Sequence, residues 1–341
     1  MKKAQSIFYI GELWDGGTCL DRMKTLQRMG HEVIPFDTTP FVADGLRIFR
    51  SLAHRTNFGP PVWGLNEALL SRVKQLKRLT LVWVDKGRWI YPETLDKLRA
   101  QTGASLVHYT PDAQLWDNKS RYFNAYIPLY DLVVTTKPFE AKLYKAAGAR
   151  EVLLVLQGYG SRFGPLARAA SEKVMLQSDV CFIGHCQRHY AARLQVAAHT
   201  GARLRIWGRG WCRYTRFHSW AREHVAGDGI WGEQYPIALA SSKIALGLLS
   251  KRIPETTTTR TFEIPATGAF LLAERTDDHL ALFREGIEAE FFESDEELHE
   301  KIHFYLKNDN TRRKIAAAGR ERCVSSRYDA KCQIEKVLTH L

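Results

Sequence analysis

The chain has 341 residues, 45% of them apolar and 25% charged, a composition that suits a globular protein large enough for two domains. No apolar run reaches the roughly 20 residues of a membrane-spanning helix, and Met1 to Ser6 lead into a strand without a signal-peptide pattern, so a cytoplasmic address is the expectation. The net charge of +12 attracts polyanions, whether nucleic acid, anionic lipid headgroups or diphosphates, although the basic residues are spread along the chain.

In chain order, Ser6–Ile10 reads as a strand that ends at Gly11, followed by a loop with Gly16 and Gly17. Thr18 is placed as an N-cap, Leu20, Met23, Leu26 and Met29 recur at helical spacing, and 31–36 resumes as strand. Strand, helix, strand implies a parallel sheet. The first loop is neither GxGxxG nor a P-loop, so its signal as a dinucleotide site is weak, and a tight turn or a flexible loop lining an acceptor cleft fits it better. Further strands are expected at 79–84, 105–109, 131–134 and 151–155, each ending in a polar or glycine-bearing turn. In open α/β sheets such turns bind ligands. A second series runs through 180–184, 204–208, 244–248, 269–273 and 289–292, and helices follow from Asp295. The expected domains are 1–165 and 166–325, with a C-terminal helix at 326–341 that crosses back to the first. All six cysteines read as free thiols, mostly buried.

The most informative segment is Glu255 to Glu274, a threonine-rich loop, a short helix from about Thr259, a stop at Gly268 and an apolar strand. Helix-start amides with Thr259 favour a phosphate. Arg260 in the first turn opposes the helix dipole, which a bound anion would explain. Glu263 stands among apolar and small residues, where a carboxylate has little structural reason to be, and no internal partner is expected for it. Adjacent Asp277 and Asp278 suit an N-cap better than a metal, and no HExxH-like pattern occurs, so no metal site is expected.

Glu255 and Glu263 are separated by seven residues. This spacing resembles the E-x7-E segment of group-1 retaining GT-B glycosyltransferases. The run from Arg260 to Ala266, with 272–278 and 283–286, resembles the branch named after the spore-maturation protein CgeB. The resemblance extends to 182–185, to Trp207, Gly208, Gly210 and Trp211, to 312–316, and to 108–112 and 129–137 in the N-terminal half.

The resemblance implies an α/β GT-B fold, two Rossmann-like doubly wound domains facing a central cleft, and metal-independent transfer from a nucleotide-diphosphate sugar, with retention. No cofactor is implied beyond that donor. Glu263 would bind the ribose hydroxyls, Glu255 would face the donor sugar, and Arg260 would neutralise the departing diphosphate. Gly184 and His185 would approach the phosphates with Arg193 and Thr259, while Trp207, Gly208 and Gly210 would flank the base. Asp112 would orient the acceptor, or act as base if the enzyme inverts; the bland reading is a turn cap. The acceptor would be a glycan or a lipid-linked molecule, and an anionic membrane surface at the inner face is a further partner. Two rivals stand beside this reading. One is a nucleotide-sugar epimerase of the same fold. The other is a nucleic-acid-binding protein, suggested by the aromatic and basic residues interleaved from Arg209 to Trp220, although no specific nucleic-acid site is expected.

Overall fold

The computed structural model of the protein describes residues 4–43, 46–76, 78–116, 122–164 and 175–341. Two compact units divide the chain, Met1–Leu156 with Ala330–Leu341, and Gln157–Asp329. The boundary expected between 165 and 166 lies outside the described residues, and that expected between 325 and 326 falls at the end of helix Asp309–Ser325.

The first unit holds six parallel strands: β1 (Ser6–Gly11), β2 (Glu32–Asp37), β3 (Leu81–Asp85), β4 (Ser105–Thr110), β5 (Leu132–Thr135) and β6 (Val152–Leu154), in the order β2-β1-β3-β4-β5-β6. Period-two alternation sends Phe8, Ile10, Val82, Val84 and Leu106 to one face, beneath helices Pro60–Val73 and Pro92–Thr102. Ile7, Tyr9, Leu81, Trp83 and Val107 go to the other, against Met23 and Leu26 of helix Thr18–Arg28 and Ile334, Val337 and Leu338 of helix Ala330–His340. Covering both faces explains why these strands read as near-continuous apolar runs. Helix Thr18–Arg28 starts at Thr18 itself, and Gly17 takes the N-cap position.

The second unit has β7 (Ser178–Ile183), β8 (Leu204–Trp207), β9 (Val225–Gly227), β10 (Ser242–Gly247), β11 (Phe270–Glu274) and β12 (Glu290–Phe292). Their order, β12-β11-β10-β7-β8-β9, is that of a Rossmann sheet, and every pairing is parallel. The strand that sequence reading missed is β9, a three-residue edge strand with no apolar run to signal it. Because β8 and β9 lie on one side of β7 and β10 on the other, the chain reverses direction across the sheet between β7 and β10. In such sheets that reversal opens a crevice at the carboxyl ends of the two strands. In the first unit the corresponding reversal lies between β1 and β3.

Candidate functional site

Arg260 lies at the reversal point of the second unit. It is the second residue of helix Thr259–Ala266, and its guanidinium donates to Ile183 O at 2.9 Å and to Leu248 O at 2.9 Å. Those carbonyls end β7 and follow β10. The guanidinium also lies over Phe182 and Tyr190, at 5.1 and 5.8 Å from the ring centroids. Burial favours loss of its charge, but Tyr190, Tyr235, Glu255 and Glu263 outweigh this and hold its pKa above the ordinary value. Main-chain acceptors thus explain an arginine in the first turn without requiring a bound anion, which corrects the argument from the helix dipole.

Gly184 makes this placement possible. A β-carbon there would lie 2.7 Å from an Arg260 nitrogen and 2.7 Å from the Phe182 ring, so any side chain would displace the guanidinium. Gly208 has φ +144°, and a β-carbon on it would fall 1.9 Å from Gly184 O. The turns after β7 and β8 therefore touch backbone to backbone, as only glycine allows. Gly210, at φ +94°, donates its N–H to Asp228 at 3.2 Å and opens helix Trp211–Tyr214.

Glu263 lies one turn beyond Arg260 and is 6% exposed. Contrary to expectation it has an internal partner, since Tyr235 Oη donates to Glu263 Oε2 at 2.6 Å. Burial pushes its carboxyl up to about 7, against the pull of Tyr235, Arg260, Arg162 and Thr259. Thr259 is the first residue of the same helix. Its N-terminus is fixed by a relay in which Thr258 N–H donates to Thr261 Oγ1 at 3.1 Å, and Thr261 Oγ1 meets His279 Nε2 at 2.9 Å. His279 Nδ1 lies 2.7 Å from the Glu274 carbonyl, which requires that nitrogen to donate and Nε2 to accept. Glu255, in the loop before the helix, accepts from Ser250 N at 3.0 Å.

Sequence reasoning gave no role to Glu274, which ends β11 and is 6% exposed. It accepts from Leu249 N at 2.9 Å and Lys251 Nζ at 2.5 Å, and contacts His189 Nε2 at 2.9 Å. Burial raises its pKa, but Lys251, the Leu249 amide and His189 bring it below the ordinary value. A polar residue closing an apolar strand was its one visible signal. Tyr235 had none.

The remaining expected residues are placed differently. His185 is exposed in the turn after β7. Arg193 is not brought to the Arg260 group; it pairs with Asp295 and lies 5.9 Å from the Phe292 ring centroid, so packing against helix Asp295–Lys307 accounts for it. Trp207 is 4% exposed at the end of β8. In the run from Arg209 to Trp220 the fold engages most of the aromatic rings and leaves Arg209, Arg213 and Arg216 exposed. Trp211 is buried and donates to Gly184 O at 2.8 Å, while Tyr214 stacks on His218 at 3.6 Å and meets Trp220 edge-on. Only Phe217 presents a largely free ring, at 79% exposure. Asp277 and Asp278 lie in the first turn of helix Asp277–Leu282, and the cap expected from them is supplied by Thr276, which accepts from His279 N at 3.0 Å. Among the described residues no group of three His, Cys, Asp or Glu side chains could hold a metal.

In the first unit, Asp112 follows β4 and pairs with Lys86 Nζ at 2.9 Å. Burial opposes the charge, but Lys86, then Lys137 and Arg22, hold its pKa below the usual carboxylate range. That is the reverse of what a general base near neutral pH needs. At the β1/β3 reversal, Asp85 is 2% exposed and takes Arg22 Nε at 2.6 Å, Arg22 Nη2 at 2.9 Å, Tyr9 Oη at 2.5 Å and Cys19 Sγ at 3.3 Å. The cavity beside it is about 10 Å³, room for one water at most.

Two parallel six-stranded sheets with helices on both faces constitute the GT-B fold, and solved structures share it along nearly the whole chain. Residues 188–339 match a family described as "Glycosyl transferase-like". Sucrose-phosphate synthase from Thermosynechococcus elongatus superposes with a TM-score of 0.69 at 15% identity, covering 98% of each chain. A glycosyltransferase from Rickettsia africae gives 0.68 at 14% identity, over 99% of this chain and 98% of that one. Anabaena HepE, solved in complex with UDP-glucose, gives 0.67 at 16% identity, over 99% of this chain and all of HepE. No curated protein sequence matches the chain.

Proposed function

We propose that the protein is a glycosyltransferase that takes its sugar from a nucleotide-diphosphate donor, a UDP-sugar in the first instance, and transfers it with retention. One observation carries this reading. A buried carboxylate of raised proton affinity, Glu263, and a cation, Arg260, share one helix end at the strand reversal where Rossmann sheets receive nucleotides. Both lie inside the stretch that matches the transferase family, and HepE of similar fold holds UDP-glucose.

In this reading Glu263 accepts both ribose hydroxyls, with Tyr235 orienting the carboxylate. Arg260 and the opening amides of its helix stabilise the charge that grows on the departing diphosphate, which accelerates the reaction as well as aiding binding. Glu255 faces the donor sugar from the preceding loop, and Glu274 holds His189 and Lys251 beside that loop. No metal or resident cofactor takes part. A glycan or lipid-linked molecule accepts the sugar, and an anionic membrane is a further partner.

Calorimetric titration with UDP, run beside a transfer assay with UDP-glucose, tests these roles. Glu263→Ala should weaken UDP binding, while Glu255→Gln should bind UDP normally and lose transfer. Normal UDP binding by Glu263→Ala would remove the ribose assignment. Conversion of the donor to an epimer without any acceptor would mark an epimerase instead.

A further inference from the structure

Helix Arg47–Thr56 of the first unit is built the wrong way round for a core helix. Ile48, Phe49, Leu52 and Thr56 fall on one face at 3.6-residue spacing, the arrangement that usually turns inward. Here only Ala53 is buried, whereas Ile48 is 72% exposed, Phe49 40% and Leu52 42%, with Leu46 at 68% just before the helix.

The helix is held by other contacts. Asn57, in the left-handed region at φ +54°, closes its C-terminus through a 2.8 Å bond to Ala53 O. Arg88 donates to Asn57 Oδ1 at 2.9 Å and to His54 O at 2.7 Å, and the His54 ring meets Trp89 edge-on. The outward face continues past the helix. Leu52 lies over Gly59, where a β-carbon would touch its methyl at 3.4 Å. The adjoining Phe58 and Trp63, 41% and 48% exposed, pack edge to face at 5.2 Å.

Charge decides what this face can meet. From Leu46 to Trp63 the sequence has Arg47, Arg50 and Arg55 and no Asp or Glu. A second copy docked through the same patch would set these arginines against each other, since a two-fold interface repeats the same charges on both sides. An apolar strip of Ile, Leu and Phe flanked by arginines, with a Trp at its margin, matches instead a lipid interface. There the apolar side chains enter the acyl boundary, the arginines meet phosphate headgroups and the indole sits between them.

We propose that helix Arg47–Thr56 with Phe58 and Trp63 is a docking surface for an anionic lipid membrane. This deepens the reading above, which names an anionic membrane among the partners, but its test is separate, because none of these residues belongs to the nucleotide site and UDP binding is measured on its own.

The test is co-sedimentation of the full chain with vesicles of phosphatidylcholine alone or of equal parts phosphatidylcholine and phosphatidylglycerol. The parent should bind the anionic vesicles at least about ten-fold more tightly, and added salt should weaken that binding. Ile48→Ser/Phe49→Ser/Leu52→Ser should lose binding, and Arg47→Gln/Arg55→Gln should lose the preference for anionic vesicles. Both should keep the parent's thermal transition and UDP affinity, since every altered side chain is exposed. Equal binding to both vesicles, no binding to either, or an unchanged apolar triple variant overturns the proposal. A concentration-dependent dimer abolished by that triple variant would give the face to a second copy and equally overturn it.

Discussion

Replacing Glu263 by Gln should move stability and nucleotide binding in opposite directions. Burial raises the carboxyl from 4.5 to about 7. The folded chain therefore keeps a proton that the unfolded chain releases above about pH 4.5, and stability falls as pH rises from there to about 7. At about 1.4 kcal/mol per pH unit the loss amounts to about 3 kcal/mol, reduced by whatever relaxation the site allows. Glutamine cannot ionise, and its carbonyl can still accept from Tyr235. Urea unfolding should therefore find the variant close to the parent near pH 5 and more stable by up to about 3 kcal/mol near pH 8. UDP should bind the variant roughly ten- to a hundred-fold more weakly, since a hydrogen bond to a charged group contributes about 1.5–3 kcal/mol. Parental UDP affinity should rise about nine-fold between pH 6 and 8 as the ionised fraction goes from about one tenth to nine tenths, with that increment missing in the variant. Equal stability gains at both pH values, or a variant with the same pH slope, would falsify the picture of a desolvated carboxylate that must ionise to receive its ligand.

Gly184→Ala should push the Arg260 guanidinium off the Ile183 carbonyl and reduce UDP affinity about as much as Arg260→Lys, whose single ammonium cannot bridge both strand ends; calorimetry should show the double variant no worse than either alone. Arg22→Met leaves Asp85 buried without its counter-ion and should cost about 3–5 kcal/mol in urea unfolding, part of it recovered by adding Asp85→Asn. Transfer from UDP-glucose should survive excess EDTA; complete loss restored by manganese would refute the role given to Arg260 and its helix.

Much of the fold is legible because both sheets are parallel and covered on both faces. Val82–Val84 and Leu271–Ala273 have to be apolar on every residue, so they stand out in the sequence. Val225–Gly227 pairs only at an edge, half exposed, and leaves no such mark. In the site, Glu263 and Arg260 were visible because each breaks a local rule, a carboxylate among apolar residues and a cation at a helix start. Tyr235 breaks none, and its contact with Glu263 joins residues 28 apart. Arg193 and the aromatic residues near Trp211 show the opposite failure. They look chemically able, but Asp295, Phe292 and the Gly184 carbonyl occupy them, and no local pattern announces those tertiary partners.

The two sheets use the same strand reversal to opposite ends. In the first unit the crevice at the β1/β3 reversal is filled by the chain's own ion pair. Arg22 grips Asp85 bidentately, Tyr9 and Cys19 take the remaining lone pairs, and about 10 Å³ is left beside them. Asp85 is fully engaged there, so a ligand for it would have to break a buried ion pair, at a cost of about 3–5 kcal/mol. In the second unit an arginine again occupies the reversal, but its bonds run to main-chain carbonyls, and it stays partly exposed at a helix start. The buried carboxylate on the same helix, Glu263, has its bond from Tyr235, and burial raises its pKa to about 7. A ligand that brings two hydroxyls to that carboxylate and negative charge to that guanidinium improves both environments. In the proposed reading it is therefore this carboxylate beside Arg260, more than the topology shared by the two units, that favours Gln157–Asp329 as the nucleotide's place.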